Sequence, residues 1–381
     1  MNNQLKLSVL DLVPRFGEST FEEALQQAVI LAQNAEAWGY GRYWAAEHHD
    51  LEHLSCASPE ILLSHIGART KRIRLGSGAV LLPHYSPLKV AENFRMLAAL
   101  YPGRIDLGVG RAPGGSAHTS MALSGNFLGH VADLPQRIRA LSELLEDRYR
   151  YEDVPVAAKP VPATPPVMWM LGTNTKSAGY AAEFGTGYVF GQFMSDTDGA
   201  EVLQSYREAY RPSAFLQEPR TMVAVSVVCA ATEEQAQKLA ADIPRPGQGS
   251  VPTGRKETAD HEQSPLLTAI GQAEIGGGGG DTHSSGRTAA TIHDGDPQGN
   301  SASESGDPAP SGSDSSGPSQ RLIIGTPASV RNRLQHMAEE YRCDEFLIVT
   351  PVSDYNARLE SYRLLMDSSQ LLHIYNRRET K

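Results

Sequence analysis

What most constrains this chain is an alternation. Apolar, β-prone runs recur along its 381 residues, and nearly every one is followed by a stretch with helical periodicity. The runs are "LSVLDL" (8–13, beginning a little earlier), "RYWAAE" (42–47), "IRLGSGAVLL" (73–82), "RIDLGVG" (104–110), "VMWML" (167–171), "YVFG" (188–191), "TMVAVSVVCA" (221–230) and "EFLIVT" (345–350). Parallel strands need long crossovers, usually helical, so strand–helix alternation argues for a parallel sheet. Eight such units predict a (β/α)₈ barrel, with an open doubly wound sheet as the alternative.

The helices between the runs carry start and stop signals. One spans Phe21 to Trp38, with Ser19 and Glu22 as a capping box and Gly39 as its stop. Ser58 and Pro59 open a second, to about Thr70, and Ser86 and Pro87 a third, through Leu100. Others are predicted over 134–149, from Ser177 to Phe184, over 199–210, from Glu233, over 327–341 and from about Asn356.

One segment breaks the pattern. From Gly276 to Ser319 the only large aliphatic residue is Ile292, amid Gly, Ser, Asp and Pro. Such a stretch buries too little apolar surface to offset the entropy of ordering it. The expected organisation is one barrel domain from 1–243 and 320–381, with 244–319 a largely disordered, low-complexity insertion. Setting the insertion aside leaves about 305 residues, comfortable for a barrel of ~250.

Composition excludes several classes. A formal net charge of −10 offers nucleic acid no electrostatic attraction. No apolar run approaches the ~20 residues that span a bilayer, and the N-terminus lacks a secretory signal pattern. Cys56, Cys229 and Cys343 have neither metal nor redox spacing. The economical expectation is a cytoplasmic protein.

In such barrels chemistry sits at the C-terminal ends of the strands, and the unusual motifs fall there. "AEHH" ends the second run and brings Glu47, His48 and His49 together. These could be a buried pair of Glu47 with His48, a metal set of Glu47 and His49 with His53, or a cluster facing a reaction; H-x₃-H without a third placed ligand is weak support for metal. "GVGRAPGG" ends the fourth run with Arg111 among glycines but lacks the helix start and later acidic residue of a dinucleotide fingerprint. "LGTNTKSAG" leads into a helix N-terminus, where free N–H groups and the helix dipole suit a phosphate, and Arg111 could complete that site.

The motifs "AEHH", "LGSGAVLLPHYSPLKVAE", "PGRIDLGVGRAPGG" and "LGTNTKSA" together resemble bacterial luciferase-like flavin monooxygenases, single-component relatives of the luciferase α chain. The resemblance runs over about 5–242 and 321–368. It implies a (β/α)₈ barrel binding FMN or reduced FMN at the strand C-termini. It implies His48 as the active-site histidine with Glu47 beside it; His49, the adjacent residue, is expected to point elsewhere and serve structure. Gly78–Ala79 matches an unusual cis peptide against which the flavin ring packs, and Arg111, Thr173, Asn174 and Ser177 match phosphate-binding positions. The implied reaction is oxidation of a small organic substrate by O₂ and reduced FMN supplied by a separate flavin reductase. An unperturbed imidazole suits His48 to proton transfer near neutrality, and Phe190, Phe193 and Trp169 could line an apolar substrate pocket. Gly110 stands where luciferase carries a cysteine, so light emission is not implied. A homodimer through outer-ring helices is expected by likeness. The rival readings are deazaflavin-dependent hydride transfer in the same superfamily, a non-catalytic flavin-binding protein and, more distantly, a metal hydrolase.

Overall fold

In the computed structural model, eight parallel strands close on themselves: β1 (Lys6–Asp11), β2 (Arg42–Ala45), β3 (Arg74–Ser77), β4 (Ile105–Gly110), β5 (Val167–Gly172), β6 (Gly187–Gly191), β7 (Thr221–Cys229) and β8 (Glu345–Val349). Each pairs with the next, and β8 returns to β1 with Lys6 opposite Glu345 and Val9 opposite Ile348. That last pairing makes the (β/α)₈ barrel and rules out the open sheet. The structure describes residues 5–243 and 322–367, so the expected insertion at 244–319 lies outside the described residues. An extra strand, Leu322–Gly325, pairs with the far half of β7, a position the sequence reading did not assign.

Strand alternation divides the apolar residues into two cores. Val9, Tyr43, Val223 and Phe346 face outward against the helices, whereas Leu10, Trp44, Ala224 and Leu347 face into the barrel. The interior near the strand N-termini is filled: the rings of Trp44 and Trp169 meet edge-on at 5.9 Å. Gly76 and Gly187 make room for them, since a Cβ at either would collide with a tryptophan ring. Around this pair Arg42 bridges Asp106 at 2.7 Å and Glu345 at 2.6 Å, and Arg74 adds a second ion pair to Asp106. The expectation that Trp169 and Phe190 line a substrate pocket is therefore corrected. Trp169 is part of this floor, and Phe190 points outward into the sheet–helix layer, against Tyr341 at 6.3 Å.

Most helices fall where the periodicity predicts, two with the predicted bounds: Phe21–Trp38, stopped by left-handed Gly39, and Pro327–Tyr341. The capping box of the first sits one residue later than expected. Thr20, extended at φ −83°, accepts from the Glu23 amide while the Glu23 carboxylate accepts from the Thr20 amide. Ser19 instead accepts from the Phe16 amide and meets the Tyr355 hydroxyl. Ser58 makes no side-chain cap, and its helix ends at Gly67 rather than Thr70. The helix expected over 134–149 ends at Leu145, shortly before Asp147 turns left-handed. Two short helices after β4, Ala117–Ser124 and Phe127–Ala132, went unassigned; their signals are the N-caps Ser116 and Asn126 and the left-handed stop Gly125.

Candidate active site

Four neighbouring strands deliver the predicted residues to one rim in order around the barrel. His48 follows β2, Gly78–Ala79 follows β3, Gly110 and Arg111 lie at the end of β4, and Thr173 to Ser177 follow β5. All of these except Asn174 and Thr175 line one cavity of about 1050 Å³, its open mouth included, with Leu10, Leu12, Met170, Phe193 and Ala224 among its apolar walls. The run predicted as one strand over 73–82 is interrupted between β3 and Val80–Leu81 by a cis Gly78–Ala79 bond, at the position the resemblance implies. The Gly78 amide donates to Ala45 O at 2.8 Å, and Val80 and Leu81 resume pairing alongside Val109 and Gly110. A Cβ on Gly110 would lie 3.2 Å from that of Ala79. The β3 and β4 ends thus form a small-residue wall open to a flat ligand.

Beside this wall the Glu47–His49 segment sorts its side chains by alternation. Glu47 is 3% exposed, and its carboxylate accepts from His49 Nε2 (2.7 Å), the Tyr85 hydroxyl (2.7 Å) and the Leu81 amide (3.1 Å). Its partner is His49, not His48, so the reading of a buried Glu47–His48 pair is corrected: residues two apart share a side, and His48 lies between them. His48 faces the cavity, buried, and its Nδ1 has no hydrogen-bond partner. Burial, with a smaller contribution from neighbouring His49, pushes its pKa down to about 4. The unperturbed value expected from the sequence is not kept; His48 is a neutral imidazole at pH 7.

Next to the wall, Arg111, Thr173 and Ser177 line the cavity at the start of the helix Thr175–Glu183. Asn174 is that helix's N-cap, its side chain accepting from the Ser177 amide at 3.1 Å. Its role is to shape the helix start, which is why its side chain is not on the cavity wall. The Ser177 hydroxyl meets Asn174 O at 2.8 Å and the Tyr188 hydroxyl at 3.0 Å. Sequence reasoning missed Lys176 and Tyr180, which also line the cavity. Lys176 was readable inside "GTNTKS" as a second cation beside Arg111; Tyr180, one turn on, carried no signal. Tyr85, the hydroxyl donor to Glu47, was hidden inside "LPHYSP". Among the described residues no group of three or more His, Cys, Asp or Glu is arranged to hold a metal ion, and no helix is long and apolar enough to cross a membrane.

A closed parallel barrel with an apolar-walled cavity at its C-terminal rim is the architecture of a barrel enzyme. The model of the luciferase-like monooxygenase family matches residues 5–343, and the chain belongs to that family. It is 37% identical to an uncharacterized Bacillus subtilis (strain 168) protein, YwcH, over 96% of this chain and 99% of that one. It is 32% identical to a luciferase-like monooxygenase of Escherichia coli (strain K12), over 97% of this chain and 98% of that one. It is 39% identical to the N-acetyl-S-alkylcysteine monooxygenase of Bacillus subtilis (strain 168), over 61% of this chain and 70% of that one. The crystal structure of apo-MsnO8 superposes with a TM-score of 0.71 at 30% identity, covering 97% and 99% of the two chains. At 14% identity and TM-score 0.58, the oxygenating constituent of 3,6-diketocamphane monooxygenase from Pseudomonas putida, solved with FMN, shares the fold, over 95% and 97% of the chains.

Proposed function

We propose that this protein is a flavin-dependent monooxygenase that uses reduced FMN, delivered by a separate reductase, and O₂ to oxidise a small organic substrate. The observation that carries this reading is the order of groups around one cavity: a cationic helix start, a small-residue wall, then a buried imidazole nitrogen without a partner. A phosphorylated, flat, largely apolar cofactor answers each of the three. Arg111, Thr173, Lys176 and Ser177, with the start of the helix, would hold its phosphate; Gly78, Ala79 and Gly110 would face its ring. The residues present fit FMN. A solved protein of the same fold is bound to FMN.

Reduced flavin, when bound, supplies the electrons for activating O₂; the chain supplies place and environment. The apolar walls at Leu10, Leu12, Met170 and Phe193 keep water from the reacting centre. His48, neutral at pH 7, accepts a proton or a hydrogen bond at the cavity face. Glu47, its carboxylate already holding three donors, is not available to shuttle protons. One relative is named for N-acetyl-S-alkylcysteine oxidation, which makes thioethers the first substrates to try.

The test combines the protein, photoreduced FMN and isotope-labelled O₂ with a panel of thioethers and apolar organic compounds. Product carrying one labelled oxygen atom is the expected result. FMN binding with no label in any product would leave a non-catalytic flavin-binding protein. No FMN binding, with oxygen-independent hydride transfer from reduced deazaflavin, would replace the reading with the rival cofactor.

A further inference from the structure

We infer that Glu47 is a positioning residue, which with Tyr85 and His49 as its donors holds the Gly78–Leu81 wall against the His48 segment. The inference rests on the flavin reading above and deepens it. Three elements converge on this carboxylate. It leaves the end of β2 one residue before His48, takes the Leu81 amide just beyond the cis bond, and takes the Tyr85 hydroxyl from the turn after the wall. The wall is thus fastened on both sides of Gly78–Ala79: by the Gly78 amide on Ala45 O and by the Leu81 amide on Glu47.

The rest of the cluster is fixed in turn. The His48 amide donates to Cys56 O at 2.9 Å and the His49 amide to Gly114 O at 2.8 Å, so the backbone on both sides of the His48 Cα is tied. Tyr85 is anchored through its carbonyl, which accepts from Arg137 Nη1 at 2.9 Å. His84 Nε2 meets Pro113 O at 2.8 Å and its ring stacks on Phe127 at 4.8 Å. This buried carboxylate has three donors, and losing one leaves it under-satisfied. Its lowest-cost response is to shift, and the attached wall and His48 shift with it.

The test is Tyr85→Phe, which removes one hydroxyl and no volume of consequence, alongside Glu47→Gln. Each is titrated with oxidised FMN and with riboflavin, and the visible circular dichroism of the bound flavin is recorded with the thermal unfolding curve. Tyr85→Phe is expected to weaken FMN and riboflavin equally, by about tenfold, the scale of one hydrogen bond to a charged group, and to alter the flavin dichroism. Glu47→Gln should do the same to a greater degree, and the double variant should bind no worse than Glu47→Gln alone, because the hydroxyl acts through the carboxylate. Unchanged affinity and dichroism in a folded Tyr85→Phe variant would overturn the inference, as would a variant that is less stable but seats flavin as before. If the wild-type protein itself binds no flavin, the functional reading fails instead, and the two failures are told apart.

Discussion

Glu47 and His49 are joined side chain to side chain at 2.7 Å across the residue between them, and that residue, His48, turns to the cavity instead. In an extended segment, neighbours one apart face opposite ways and neighbours two apart face together. The doubled histidine of "AEHH" is therefore two residues with two tasks. One hydrogen-bonds and orients a buried carboxylate; the other is offered to a ligand.

His48→Ala should lower turnover by about 10²–10⁴, the usual worth of acid–base assistance, while FMN affinity and thermal stability change little. His49→Ala should lower stability by about 1–3 kcal/mol as a buried carboxylate loses a partner, and should weaken flavin binding as Tyr85→Phe does, since both donors act on the same carboxylate. Turnover per folded molecule and unfolding midpoints, measured on both variants, decide the matter. An unstable His48→Ala variant with normal turnover would move that ring to the scaffold.

The phosphate reading predicts a difference between two ligands. Arg111→Ala should weaken FMN binding far more than riboflavin binding, because only FMN carries the phosphate. Fluorescence titration with both flavins measures the ratio, and equal weakening would leave Arg111 a structural residue.

His48 also predicts a slope of stability with pH. Its pKa is near 6.5 in the unfolded chain and about 4 in the folded one, so between these values the unfolded chain takes up a proton that the folded chain refuses. Stability is full above pH 6.5 and falls as pH drops toward 4, by up to about 3 kcal/mol from this group. Glu47, His49 and Glu60 lie close by and titrate or carry charge in their own right, so the comparison is with His48→Gln. Denaturant unfolding from pH 7 to pH 4 should give a shallower loss for that variant; parallel curves would remove His48 as the cause.

The floor of the barrel should be costly to breach. Asp106, fully buried, pairs with both Arg42 and Arg74. Asp106→Ala takes one of two carboxylates from the largely buried Arg42 and, among the described residues, the only one from Arg74, for which about 3–5 kcal/mol of destabilisation is expected. Chemical denaturation reads that loss, and a change under 1 kcal/mol would mean that Glu345 alone satisfies Arg42.

The sequence made the barrel legible because each strand and helix carries its own period, and because "AEAWGYG" marks a terminus with local chemistry. It was least legible where a residue's task is set by elements far along the chain. Alternation within "YWAAEHHD" separates His48 from its neighbours, but nothing in it reveals Tyr85 or Leu81 as partners of Glu47. The same limit misplaced Trp169, whose run is apolar on both faces, so that pattern cannot say how far along the barrel axis its ring lies. The shifted imidazole pKa is likewise a property of burial by side chains from several strands, not of the motif.

Because two tryptophans and an ion-paired layer close the opposite end of the barrel, a molecule at the rim cannot pass along the barrel axis among the described residues. Entry and release then share the rim, and turnover would run as a queue rather than a flow. A product lingering at the entrance blocks the next substrate, so accumulating product should inhibit competitively.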